Sequence, residues 1–126
     1  MRAYARWLFG TAAVLNIAVG GGLLFLRPWL GPLLGFDPTG GTNLVLANLA
    51  GALVVAFGGA YACAAADPAR YRTYIQLGTI GKLLAVAAVV WPWLAGAVSW
   101  TLPAPALADV AYALLFWDFL RRSRVS

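Results

Sequence analysis

The sequence predicts an all-α polytopic membrane protein, an antiparallel bundle of four transmembrane helices. Composition is the first reason, because 63% of the 126 residues are hydrophobic and only 10% are charged. Soluble domains carry about 25% charged residues, so this balance is typical of membrane proteins. Length is the second reason, since four apolar runs each approach the roughly 20 residues that cross a bilayer core. We predict spans at about 6–27, 43–66, 70–91 and 103–120, which form a single domain over residues 1–126.

The placement of basic residues predicts the orientation of these spans. Only Arg27 lies at the ends of the spans on one side of the membrane. The positive-inside rule therefore places both termini and the middle loop in the cytoplasm. The chain offers no folded basic face, so nucleic acid is not an expected partner. The basic residues on the cytoplasmic side are Arg2, Arg6, Arg70, Arg72, Arg121, Arg122 and Arg124.

The first two spans are joined by an outer loop. The first apolar run is longer than the 7–15 residues of a signal peptide, so we expect an uncleaved helix with Asn16 near its middle. Residues 31–42 are rich in proline and glycine, which predicts a loop. The second span then carries Asn48.

The second half of the chain repeats this pattern of a helix, an outer loop and a returning helix. Asp67 and Pro68 predict the start of the third helix, with Asp67 as its N-cap. Trp91, Trp93 and Trp100 predict an aromatic belt at the outer surface. The last span returns to the cytoplasm from Pro103.

The two halves of the chain resemble each other. Gly10-Thr11 and Gly78-Thr79 each open an apolar run that closes on Pro-Trp-Leu, at 28–30 and at 92–94. Two interpretations stay open: a duplication that makes the chain a 2+2 repeat, or a chance match between apolar segments. A duplication would relate the halves by an axis along the membrane normal and would make Asn48 and Asp109 equivalent.

Two carboxylates lie inside the last span, where each charge costs about 2.5–3.5 kcal/mol on insertion scales. Lys82 and Asp118 are equally far from an outer turn near Trp100, which would bring them to similar depth and allow them to pair. In the alternative, Asp118 pairs locally with Arg121 and Arg122, and Lys82 extends its ammonium group toward the inner headgroups.

Asp109 lies only a few residues inside the outer surface. Asn48 is its expected hydrogen-bond donor, and Arg27 is the only cation expected on that side. An ionisable residue inside a membrane marks a functional site by default, and a structural hydrogen-bonded pair is the alternative. The candidate polar centre therefore consists of Asp109, Asn48, Asn16, Lys82, Asp118, Arg27 and Tyr112.

Metal and cofactor chemistry is not expected. The chain has no histidine and one cysteine, Cys63, so it lacks the usual ligands of zinc, copper and haem iron. No nucleophile–base pair or phosphate-binding loop is apparent in the sequence either. A catalytic role is therefore not the expected one.

The chain has four predicted helices, an N-terminus inside, a glycine-rich first span and a Gly81-Lys82 pair. In these features it resembles the DoxX-like group of small bacterial membrane proteins. The resemblance covers the whole chain and implies a multi-pass protein of the bacterial inner membrane. Some members of that group are similar to subunits of quinone-linked sulfur oxidation. The resemblance therefore implies a lipophilic redox partner.

The expected function is non-catalytic. The chain would be an accessory subunit of a larger membrane complex, or it would bind a lipophilic small molecule such as a lipid or a quinone. One alternative is a small transporter or ion carrier that uses Asp109 and needs at least a dimer. The other is the membrane subunit of a quinone-linked oxidoreductase. The expected partners are the lipid bilayer, other membrane subunits and a second copy of the chain.

Overall fold

The computed structural model describes residues 2–26, 42–96 and 106–123. These residues form four helices: α1, Arg2–Phe25; α2, Thr42–Ala66; α3, Arg72–Leu94; and α4, Ala106–Ser123. The predicted all-α class is confirmed. Several residues used in the sequence predictions lie outside the described ranges, namely Arg27, the Pro-Trp-Leu motif at 28–30, the outer loop at 31–41, Trp100, Pro103 and Arg124.

Three of the helices are long and apolar enough to cross a membrane, at Ala3–Phe25, Leu44–Ala66 and Arg72–Leu94. This finding supports the membrane class and three of the four predicted spans. Helix α4 differs because it has 18 residues and includes four charged side chains, Asp109, Asp118, Arg121 and Arg122. Its place in the bundle therefore depends on its packing more than on its own hydropathy.

The connection between α2 and α3 differs from the prediction. Asp67 was expected to cap α3, but the helix begins only at Arg72, and Tyr71 at its N-cap makes no side-chain capping bond. The Asp67 carboxylate instead accepts a hydrogen bond from the backbone N–H of Arg70, at 3.2 Å. Asp67 thus stabilises the turn that precedes the helix.

Helix α4 continues three residues beyond the predicted end of its span. The guanidinium of Arg72 donates to the carbonyl oxygen of Leu120 at 2.8 Å and to the hydroxyl of Ser123 at 2.6 Å. Because the last carbonyls of a helix lack partners within it, an arginine from α3 stabilises this C-terminus.

The core is built from aromatic and small side chains. The ring centroid of Phe9 lies 4.9 Å from that of Phe116 and 5.1 Å from that of Phe119, and Phe116 also contacts Tyr61 at 5.2 Å. Large aliphatic side chains such as Val14 and Leu84 are exposed instead. The small residues of the core let the helices approach closely, as is typical of helices that pack within lipid, and the aromatic rings fill the space between them. The buried core also contains Ala5, Leu8, Ala12, Ala13, Ala64 and Ile75.

A second contact region joins α1 and α2 through glycine. A Cβ atom added at Gly20 would lie 2.7 Å from the Gly51 carbonyl oxygen and 2.9 Å from the Val55 backbone nitrogen. The two backbones therefore approach too closely for any side chain at this position. Farther along α2, a Cβ atom added at Gly58 would lie 2.7 Å from the Ile17 side chain and 3.2 Å from its backbone nitrogen.

Candidate functional site

Lys82 of α3 forms an ion pair with Asp109 of α4. Its Nζ atom lies 2.8 Å from Oδ1 of the carboxylate. The lysine side chain is only 4% exposed, whereas the aspartate side chain is 33% exposed. The ammonium group is thus enclosed by the bundle, and the carboxylate is the part of the pair that the surroundings reach.

Asn16 connects this ion pair to the first two helices. Its side-chain oxygen accepts a hydrogen bond from the Lys82 ammonium at 3.4 Å, and its amide nitrogen donates to the carbonyl oxygen of Val54 at 3.1 Å. Both ends of the Asn16 amide are therefore used. Together with the ion pair, these bonds link all four helices through polar groups.

Aromatic rings surround the Lys82 ammonium on its remaining sides. The Nζ atom lies 5.2 Å from the ring centroid of Tyr61, 5.4 Å from that of Tyr112 and 6.0 Å from that of Phe116. Cations are attracted to ring faces within about 6 Å, and more strongly where water is excluded. We call the set Asn16, Lys82, Asp109, Tyr61, Tyr112 and Phe116 the Lys82 site.

The structure brings together four of the seven residues of the predicted polar centre: Asp109, Asn16, Lys82 and Tyr112. The predicted Lys82–Asp118 pair is wrong, and so is the alternative in which the Lys82 ammonium extends toward the inner headgroups, because Lys82 is buried and pairs with Asp109. Asp118 follows the local alternative and pairs with Arg121 at 3.3 Å and Arg122 at 3.0 Å. Asn48 lies on the exposed side of α2, and the described partner of Asp109 is Lys82.

Sequence reasoning missed Tyr61 and Phe116, two of the rings around the ammonium. A signal for Tyr61 exists in α3, where Gly78 precedes Lys82 by four residues and so lies on the same helical face. A Cβ atom added at Gly78 would lie 2.5 Å from the Tyr61 ring. The glycine thus provides the space in which the ring packs beside the lysine.

A groove of about 670 Å³ runs along α1 beside α4. We call it the α1–α4 groove. Tyr112 donates a hydrogen bond to the Thr11 hydroxyl at 2.9 Å, and Thr11 donates to the carbonyl oxygen of Leu8 at 3.0 Å. Thr11 and Tyr112 line the groove together with Arg6, Trp7, Gly10, Val14, Leu15 and Ala18. The groove is therefore apolar over most of its length and has a guanidinium near one end.

The described residues contain no group of three or more His, Cys, Asp or Glu side chains that could hold a metal ion. Comparison with known proteins finds no matching family model, no matching curated protein and no matching solved structure. The resemblance to the DoxX-like group therefore stays a prediction.

Proposed function

We propose that this chain is a non-catalytic membrane protein that binds a lipophilic molecule in the α1–α4 groove. The groove itself carries the proposal. Its volume of about 670 Å³ falls within the range of roughly 300–1,000 Å³ that is usual for small-molecule sites. Its position on the outside of helices that can cross a bilayer makes membrane-dissolved molecules the natural ligands.

The proposal includes four spans in an antiparallel bundle. Contacts at both ends of the core support this arrangement: Tyr4 packs on Phe119, and the Thr11 hydroxyl accepts a bond from Tyr112. Residue numbers thus rise along α1 as they fall along α4. The same inverse order relates Arg72 and Lys82 of α3 to Leu120 and Asp109 of α4.

The Lys82 site has a structural role in this proposal. It links four helices in lipid, where an unpaired polar group costs several kcal/mol. The buried charge pair holds the helices in one relative register while the groove outside it accepts a ligand. No step of chemistry is needed at the ion pair.

Filling the groove tests the proposal. Gly10 lines the groove, and a Cβ atom added there meets nothing within 4 Å, so Gly10→Leu should fill the groove without strain. We expect the wild-type protein, extracted gently from its native membrane, to retain a lipophilic molecule that native mass spectrometry detects. Gly10→Leu should lose most of that molecule.

Gly59→Leu is the matched control. Gly59 is exposed on α2, away from the groove, and its added Cβ atom also meets nothing within 4 Å. Retention should equal that of the wild type in this variant. A wild-type protein that emerges alone and empty would contradict ligand binding, and one that emerges with another subunit would favour the accessory-subunit role.

A second candidate function is ion transport that uses Asp109. The observation that favours it is the unequal burial of the pair, because the carboxylate is 33% exposed while its lysine is enclosed. An ionisable residue in a span is a common ion or proton site. The test measures proton flux in vesicles that contain the protein and a pH-sensitive dye. A flux that is unchanged in Asp109→Asn, or no flux in the wild type, excludes this function.

A further inference from the structure

We infer that the occupant of the α1–α4 groove is one acyl chain of an anionic phospholipid, whose headgroup lies against Arg6. The inference rests on the proposed function and specifies its ligand. It follows from three properties of the groove: its length, its positive charge at one end, and the hydrogen bonds that its hydroxyl groups already donate within the protein.

The length of the groove matches one leaflet of a bilayer. The lining runs from Arg6 to Ala18 on α1, which are twelve residues apart. At about 1.5 Å per residue this is about 18 Å. The hydrocarbon core of a bilayer is about 30 Å thick, so one leaflet contributes about 15 Å. A groove of this length accepts a chain from the leaflet at the N-terminal end of α1 and ends near the midplane.

The charge of the groove favours an anionic headgroup. Arg6 lies near the start of α1 and is exposed. In the proposed orientation of α1, this position falls at the depth where headgroups meet the hydrocarbon core. The three ion pairs among the described residues involve Lys82, Arg121 and Arg122, and none involves Arg6. A guanidinium at this position suits the phosphate of a lipid headgroup that has no positive charge of its own. Trp7, the next residue along the groove, suits the same interface.

The hydroxyl groups of the groove argue against a polar head bound deep within it. The Tyr112 hydroxyl donates to Thr11, and the Thr11 hydroxyl donates to the Leu8 carbonyl oxygen. Both donors are therefore occupied within the protein. A quinone head placed deep in the groove would have its carbonyl oxygens beside the apolar side chains of Val14 and Leu15, and the two hydroxyls would have no hydrogen left to donate to them. A hydrocarbon chain needs no such donor.

The test measures lipid retention in proteoliposomes of defined composition. The protein is reconstituted in equal amounts of phosphatidylglycerol and phosphatidylcholine with identical acyl chains, then extracted in mild detergent and examined by native mass spectrometry. We expect the wild type to retain phosphatidylglycerol in preference. Arg6→Gln should lower that preference about fivefold, which corresponds to about 1 kcal/mol for one basic residue near an anionic surface. The total amount of phospholipid retained should be unchanged in this variant, because the groove that holds the acyl chain is intact.

The groove-filling variants separate the two proposals. If Gly10→Leu and Val14→Trp lower retention of both lipids while Arg6→Gln leaves the preference unchanged, the groove is a site but the anionic assignment is wrong. If neither groove variant changes retention of any lipophile, the proposed function fails as well. Retention of an added quinone in place of phospholipid also overturns the inference, and leaves the groove as a ligand site. Gly59→Leu is the control for folding, and its thermal melting and its reconstitution are measured in parallel with those of the groove variants.

Discussion

Lys82 and Asp109 are unequally buried, and this difference makes their contributions to stability unequal. The lysine is 4% exposed and the aspartate 33% exposed. Removal of the carboxylate would leave an enclosed ammonium with only the Asn16 oxygen and three aromatic rings for compensation. Removal of the lysine would leave a carboxylate that is one-third exposed and lies in the first turn of α4, close to the membrane surface, where water and headgroups reach it. The ion pair is therefore more sensitive to loss of the acid than to loss of the base.

Asp109→Leu should lower the free energy of unfolding by about 3–5 kcal/mol, the usual penalty when one partner of a buried pair is removed. Lys82→Met should lower it by less, and the double variant should be more stable than Asp109→Leu alone. Reversible unfolding in a single detergent measures all three values. Equal losses in the two single variants, or a double variant whose loss is their sum, would contradict this description of the pair.

Asp118→Leu is the matched control for Asp109→Leu on the same helix. Its partners, Arg121 and Arg122, are both exposed, and the pairs are local contacts between neighbouring turns of α4. Exposed pairs of this kind contribute about 0–1 kcal/mol. The two carboxylates are similarly exposed, at 33% and 27%, so the difference between the two variants measures the effect of burying the partner cation.

At the scale of single helices, α1 and α2 pack through their backbones around Gly20. An added Cβ atom at Gly20 would meet backbone atoms of Gly51 and Val55, which cannot move aside as a flexible side chain can. The next residue, Gly21, has nothing within 4 Å of its added Cβ atom. The close contact between α1 and α2 therefore requires glycine at position 20 but not at position 21.

Gly20→Ala should separate α1 from α2 and destabilise the protein by about 1–3 kcal/mol, as overpacking usually does. Gly21→Ala should be neutral or slightly stabilising, because alanine is up to about 1 kcal/mol more favourable than glycine in a helix. Thermal melting of the two variants in one detergent compares them. A larger loss for Gly21→Ala would mean that the close approach at Gly20 is not what holds these helices together.

At the scale of the whole molecule, the number of spans determines where the C-terminus lies. Three helices have the length and composition of spans, and α4 has more charge. Two of its four charged side chains are Arg121 and Arg122, which lie at its end, and Asp109 is paired with Lys82. We therefore expect α4 to cross the membrane as well.

A C-terminal fusion tests this expectation. With four spans and a cytoplasmic N-terminus, green fluorescent protein attached after Ser126 should fluoresce, and alkaline phosphatase attached there should be inactive. With three spans the two results would be reversed. Fusions at the N-terminus establish the orientation of α1 independently, so that an inverted four-span protein is distinguished from a three-span one.

The membrane class, the all-α fold and the approximate limits of the helices were predictable from the sequence. These properties depend on composition and on the length of apolar runs, which are local quantities. Lys82, Asp109, Asn16 and Tyr112 were also identifiable, since polar groups stand out in apolar segments. The groove and the rings of Tyr61 and Phe116 beside Lys82 were not predicted, because each requires the relative position of several helices.

Only the tertiary structure decided which acid pairs with Lys82. Equal distances along the chain from a turn near Trp100 place Lys82 opposite Asp118. In the structure α3 continues through Pro92 to Leu94, whereas α4 begins at Ala106. These two ends are themselves equally far from residue 100, so the limits of the helices do not explain the pairing. The contacts of Lys82 with Asp109 and of Arg72 with Leu120 show that α4 is displaced along α3 from that register, and Lys82 therefore reaches an acid nine residues earlier in α4. Register between helices depends on where their side chains pack, and distance along the chain from a turn does not determine it.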